Sequence, residues 1–114
     1  MPPSIVVVIR EDPRKTHRAV EALRIALGLS TGDNPMTVVL IGQSPLLISE
    51  DPEDIVDGEI LEKYLPSFKH LEIPFTVLSG TGSQFHLDPG FRVNELSQEA
   101  IQMLIAGSDR TLVF

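Results

Sequence analysis

The sequence contains no cysteine. Disulfides, thiolate metal sites and persulfide chemistry carried by the chain itself are therefore excluded, although compartment is not decided by this. Positive charge is scarce as well. Nine Lys and Arg stand against sixteen Asp and Glu, for a formal net charge of −7. Holding a nucleic-acid backbone over a broad face needs clustered positive charge, so nucleic acid is not an expected partner. No apolar run approaches the roughly 18 residues that a membrane span requires, so no membrane is expected either. The opening MPPSIVVVIRED has neither a basic leader nor a small-residue cleavage site. It reads as the first strand of a cytoplasmic protein and not as a signal peptide. The three histidines, His17, His70 and His86, form no pair at ligand spacing. No metal and no cofactor are expected.

What is present is a core-forming chain. Of 114 residues 42% are hydrophobic, enough for one domain over residues 1–114. Residues 5–9 are an unbroken β-branched run, the pattern of a strand covered on both faces in a parallel sheet. Asp12-Pro13 then predicts a helix start, with Asp12 as N-cap and Pro13 in the first helical position. The helix is expected to reach Leu29. Only His17, Glu21, Arg24 and Gly28 form its polar face, leaving an apolar arc of roughly 220° where a sheet-facing helix needs about 100°. Ile25 and Leu29, on the flank, call for cover from a neighbouring helix or another subunit.

Asp33-Asn34-Pro35 is a turn, and residues 36–41, MTVVLI, a second buried strand. Residues 43–57 are irregular, mostly surface loop with room for a short helical turn at 46–49. Residues 59–71 have helical spacing, with Pro66 predicting a kink or two short helices. Residues 75–78 form a third strand, followed by a flexible Ser79-Gly80-Thr81-Gly82-Ser83 loop. Residues 84–93 read as a short hairpin or as an extended excursion around Asp88-Pro89-Gly90. A last helix has Ser97 as N-cap, Glu99 in its first turn, a Leu96–Ile101 staple and Gly107 as C-cap. Residues 111–114 form a final strand. Strands alternating with helices predict a layered α/β/α domain, its sheet mainly parallel with about five strands and helices on both faces. Strand order does not follow from the pattern.

Four phrases, in order along nearly the whole chain, together resemble the DsrE/DsrF-like family, which includes the TusB, TusC and TusD sulfur-relay subunits. They are the opening strand with EDP and EALRIALGL, the strand VVLIG, the segment LEKYLPSFKHLEIPFTVLSG, and the ending ELSQEAIQMLIAGSDRTLVF. The resemblance implies a compact α/β domain assembling as a homo-oligomer (trimer or hexamer) or as a hetero-oligomer with related subunits. It also implies a functional loop after the third strand, where active members carry a persulfide on cysteine. This chain has Ser79 to Gln84 there and no cysteine. Serine is no substitute, because its hydroxyl is not ionised near neutral pH. The expectation is a non-catalytic subunit linked to sulfur relay, with no catalytic residue.

Two local features are candidate binding sites, and the alternative to an interaction subunit is a module that binds one small anionic ligand, a phosphate or a nucleotide, between the Arg10–Arg18 segment and the Ser79–Ser83 loop. Arg10, Arg14, Lys15 and Arg18 cluster at the expected carboxyl end of the first strand, where open α/β sheets bind ligands. On a helix start they would oppose the dipole, which points to a phosphate-bearing ligand, another small anion or an acidic protein partner. The plainer reading is a solvated segment balanced by Glu11, Asp12 and Glu21. Ser79, Gly80, Thr81, Gly82 and Ser83 could approach a phosphate through their backbone. They match neither a P-loop nor a dinucleotide fingerprint. The acidic stretch from Glu50 to Glu62 does not have calcium-loop spacing and reads as a solvated loop, or as a surface that meets the basic cluster of another subunit. His86 stands close enough to the glycine loop to form a Ser/Thr-His pair, but nothing in the sequence orients it.

Overall fold

A computed structural model describes residues 3–50 and 54–114. Asp51, Pro52 and Glu53, part of the acidic stretch, lie outside the described residues. The described elements are strand β1 (Ile5–Ile9), helix α1 (Arg18–Leu29), β2 (Met36–Leu40), a 3-10 turn (Ser44–Ile48), α2 (Gly58–His70), β3 (Phe75–Leu78), α3 (Thr81–Phe85), β4 (Val93–Leu96), α4 (Gln98–Ala106) and β5 (Arg110–Val113). All strand pairs are parallel, in the order β4-β3-β2-β1-β5. The expected layered α/β class with a five-stranded parallel sheet is the one observed.

β1 lies between β2 and β5, so its backbone is paired on both sides and its side chains are buried on both faces. From β1 the chain steps outward through α1 to β2, through α2 to β3, and on to β4. α4 then carries it back across the sheet to β5. Right-handed connections running in opposite directions place their helices on opposite faces. Ile5, Val7 and Ile9 accordingly pack with Val20, Leu23 and Ala26 of α1 and Leu61 and Phe68 of α2. Val6, Val8 and Val39 pack under Ile101 of α4, with Leu104 and Ile105 alongside. The strand pairing runs past the named ends: Arg10 N donates to Phe114 O (2.7 Å) and Ile41 N to Ile9 O (3.1 Å). The buried Ser44 Oγ lies 2.8 Å from the carbonyls of both Ile9 and Ile41, tying the 3-10 turn to the end of the sheet.

Several sequence expectations need correction. α1 does not begin at Asp12-Pro13. Asp12 Oδ1 accepts from the backbone N of Arg14 (2.9 Å), the carboxylate also grips the Arg14 guanidinium, and the Pro13 carbonyl accepts from Val56 N (2.9 Å). These bonds hold a turn, and the helix starts at Arg18 with His17 as a cap that makes no side-chain bond. Pro66 does not divide its helix into two. The bond it omits falls on an exposed position, and α2 runs through from Gly58 to His70. The expected flexible glycine loop is instead the start of α3, entered through Gly80 at φ 90°, a conformation that glycine adopts without steric cost. Residues 84–93 are not a hairpin. They close α3, make one antiparallel bridge (Ser49 to Leu87) and turn at Asp88 into β4. Ser97, Glu99 and Gly107 frame α4 as expected, with Ser97 Oγ accepting from Ala100 N (3.2 Å). The excess apolar arc of α1 meets α2 and the core. Leu27 and Leu29 pack against it, and Ile25 stays half-buried.

The entry into β4 is clamped from α2. Phe75 packs between Phe68 (5.4 Å between ring centroids) and Phe91 (5.7 Å, edge-on). Lys69 Nζ sits 4.9 Å above the Phe91 ring and 2.8 Å from Asp88 Oδ2. The bond from Lys69, followed by that from Gly90 N, holds the Asp88 carboxyl below its ordinary range. A lowered carboxylate pKa contributes stability above the ordinary value, and that stability is lost as pH falls through the lowered one. Lys69→Met is therefore expected to cost about 0.5–1 kcal/mol at neutral pH, the low range suited to a half-exposed ion pair and cation–π contact. Denaturant melts should show this gap narrowing on acidification as the Asp88 contribution is lost. A gap that is constant with pH would mean that Lys69 contributes through Phe91 and packing and not through Asp88.

Candidate functional site

In a parallel sheet all carboxyl ends share one edge, and ligands of open α/β sheets gather there. β1 and β3 flank β2, so the two candidate segments leave the same edge on either side of the β2 exit. Arg10 follows β1 directly and is exposed. Arg14, Lys15 and His17 belong to the turn before α1, and only Arg18 lies within the helix. Opposition to the helix dipole therefore does not account for the cluster. Arg14 is engaged: its Nε and Nη2 donate to Asp12 (3.1 and 2.9 Å), and Nη2 also reaches Gln43 Oε1 (3.4 Å). This pairing lowers the Asp12 pKa and raises that of Arg14. Among the described residues, Lys15 and Arg18 form no ion pair and project into solvent.

On the β3 side, Ser79 continues toward β4, its N donating to Leu96 O (3.0 Å). The backbone N–H groups of Gly80 and Gly82, at the start of α3, both donate to Glu95 Oε1 (3.0 and 3.1 Å). A carboxylate from β4 thus occupies the place where an external anion would meet this backbone. Thr81 is buried, while Ser79 and Ser83 are exposed. The loop and the basic segment share an edge, yet no hydrogen bond joins them among the described residues. Sequence reading missed Glu95. Its signal was a carboxylate at alternate spacing from Val93 in a strand that had not been recognised as one.

The 3-10 turn and α3 pack against each other at this edge and leave a groove of about 560 Å³. Gln43, Leu46, Ser49, Glu50, Gln84, Phe85 and His86 line it. His86 closes α3 with a left-handed backbone (φ 50°), fixed by Glu50 N donating to its carbonyl (2.9 Å). It is exposed, and no bond links it to Ser79, Thr81 or Ser83, so no Ser/Thr-His pair forms. No cluster of three potential metal ligands occurs among the described residues. Among them also, no helix is long and apolar enough to cross a membrane.

No protein-family model matches the sequence, and no curated protein does. The solved structures are informative about fold. The chain is similar to the YchN protein from E. coli over 100% of both chains, with a TM-score of 0.76 at 16% sequence identity. At that identity the likeness establishes architecture, which is the DsrE-like fold implied by the sequence resemblance.

The Glu95 contact makes a direct prediction. Glu95→Ala leaves two backbone donors at the start of α3 without a partner, and loss of such a cap costs about 1 kcal/mol. Amide exchange followed by NMR should accelerate at Gly80 and Gly82 more than in β1. Unchanged exchange at both glycines would show that α3 holds its geometry without the carboxylate.

Proposed function

We propose that this chain is a non-catalytic DsrE-like interaction subunit, working in the cytoplasm in association with sulfur relay. It assembles with copies of itself, or with cysteine-bearing relatives, as a trimer or hexamer. The DsrE-like fold and the ordered sequence phrases support the relay connection. A non-catalytic role agrees with a loop after β3 that has no cysteine and closes its own backbone donors with Glu95.

The observation that carries the reading is the β5 side of the molecule. All four residues of β5 are exposed, including Leu112 at 37% and Val113 at 51%. The opposite edge strand, β4, carries Asn94 and Glu95 and is led in by Arg92. β5 has one charge of its own, Arg110 at its start, and beyond it Thr111-Leu112-Val113 is an exposed uncharged stretch of edge with none of the charges that discourage strand addition. On the face beside β5, Val6, Val8 and Val39 are buried under α4, the one helix that packs there among the described residues, and α4 presents Met103 outward at 75% exposure.

Light scattering at micromolar concentration should give three or six times the 12.5 kDa of one chain. Val113→Lys, at an exposed position, should lower that mass while leaving the circular dichroism spectrum intact. A single 12.5 kDa species for the unmodified protein would refute assembly. An unchanged oligomer in Val113→Lys would remove β5 as the contact. Native mass spectrometry of material from its own host then distinguishes a homo-oligomer from a mixed one.

A further inference from the structure

We propose that α4 and the groove beside it form the contact for a second copy of this chain, related by a two-fold axis. The inference rests on the assembly reading above and adds to it a contact separate from the β5 edge. In this pairing α4 of each copy lies alongside α4 of the other, between the two sheets. Each Met103 then meets Ile41 and Leu78 of the opposite copy.

α4 is not built like a surface helix. Its nine residues, QEAIQMLIA, hold one charge, Glu99, whereas the thirteen of α2 hold four, at Glu59, Glu62, Lys63 and Lys69. At about 100° per residue, Ala100, Ile101, Met103, Leu104, Ile105 and Ala106 stand all round the axis and leave no arc wider than about 100°. A helix that is apolar all round belongs in an interior. Only one side of α4 is in one. Ile101 is buried on Val6, Val8 and Val39, with Leu104 and Ile105 alongside. Met103 follows Ile101 by two residues, about 200° of turn, so it points away from the sheet and is exposed.

Beside α4 the sheet is open. Leu78 ends β3 exposed, in register with the half-buried Leu96 of β4. Leu78 and Ile41, with Gln98, Ile101, Gln102 and Ile105 of α4, line a groove of about 240 Å³ that contains no charged residue. Three properties of this face select a second copy as its occupant. A projecting methionine and an apolar groove stand on the same face, and a two-fold contact requires one patch to carry both members of each pair. Methionine is also the side chain that best fills an irregular apolar gap. The polar groups at the groove are the exposed amides of Gln98 and Gln102, which occupy the remaining arc of the helix. An amide holds a donor and an acceptor and so pairs with its own counterpart, where a carboxylate or ammonium would meet its like. Finally, a net charge of −7 opposes the approach of two copies. That opposition is weakest across a helix with a single carboxylate.

The test is light scattering of the full chain at micromolar concentration. The unmodified protein should have an even multiple of the 12.5 kDa of one chain. Gln102→Glu and Gln102→Lys each set like charges against one another across the axis. Each should weaken the pairing at least about tenfold and halve the mass. Both replacements are good helix formers at an exposed position, so the circular dichroism spectrum should not change. An equimolar mixture of the two variants should recover the full mass, because opposite charges then face each other. An odd multiple for the unmodified protein, an unchanged mass in both variants, or no recovery on mixing would each overturn the proposal. Unchanged Gln102 variants beside a lowered mass in Val113→Lys would remove this contact and keep assembly through β5. A single 12.5 kDa species for the unmodified protein would remove both.

Discussion

The structure depends on β1 being paired on both sides. A strand between two parallel neighbours has no edge, and all five of its side chains are buried. Both faces must then be covered, and parallel strands cannot be joined by tight hairpins. Helical crossovers follow from that constraint, and so does the reversal that brings α4 to the second face. The edge where candidate ligand groups collect is a further consequence, because every strand delivers its exit there.

That frame was legible wherever local pattern and burial agreed. The β-branched run of β1, the MTVVL strand and the Ser97 cap could be read because one physical effect dominates each. Asp12-Pro13 was misread because two effects compete. The same carboxylate that can cap a helix can also close a turn, and a guanidinium two residues on decided for the turn. β4 was missed for a different reason. Val93-Asn94-Glu95-Leu96 has little strand character of its own and exists by pairing with β3. Strand order was beyond local reading altogether, since β5 pairs with residues about a hundred positions away.

Legibility of the candidate site follows the same division. The charge cluster at residues 10–18 is visible in the sequence, but its internal neutralisation through Asp12 is a matter of geometry. The groove joins Gln43 to residues 84–86, and no spacing rule connects those positions. They meet because the 3-10 turn is held to the end of the sheet by Ser44 and to residues 86–88 by backbone bonds. The glutamines themselves have no distinguishing context in the sequence.

The Glu95 carboxylate also bears on how such a chain could change over time. A side chain placed at position 82 would put its Cβ 3.5 Å from Glu95 Oε1. A thiol there would stand beside a negative charge, which raises its pKa and suppresses the thiolate that accepts sulfur. A cysteine gained alone at this position would therefore be poorly reactive, and removing the carboxylate first would loosen α3. A reactive thiol at this position therefore needs two coordinated changes, a cysteine gained and the carboxylate removed, and a contact that closes a loop in the folded state thus also limits which chemistry a single substitution can introduce.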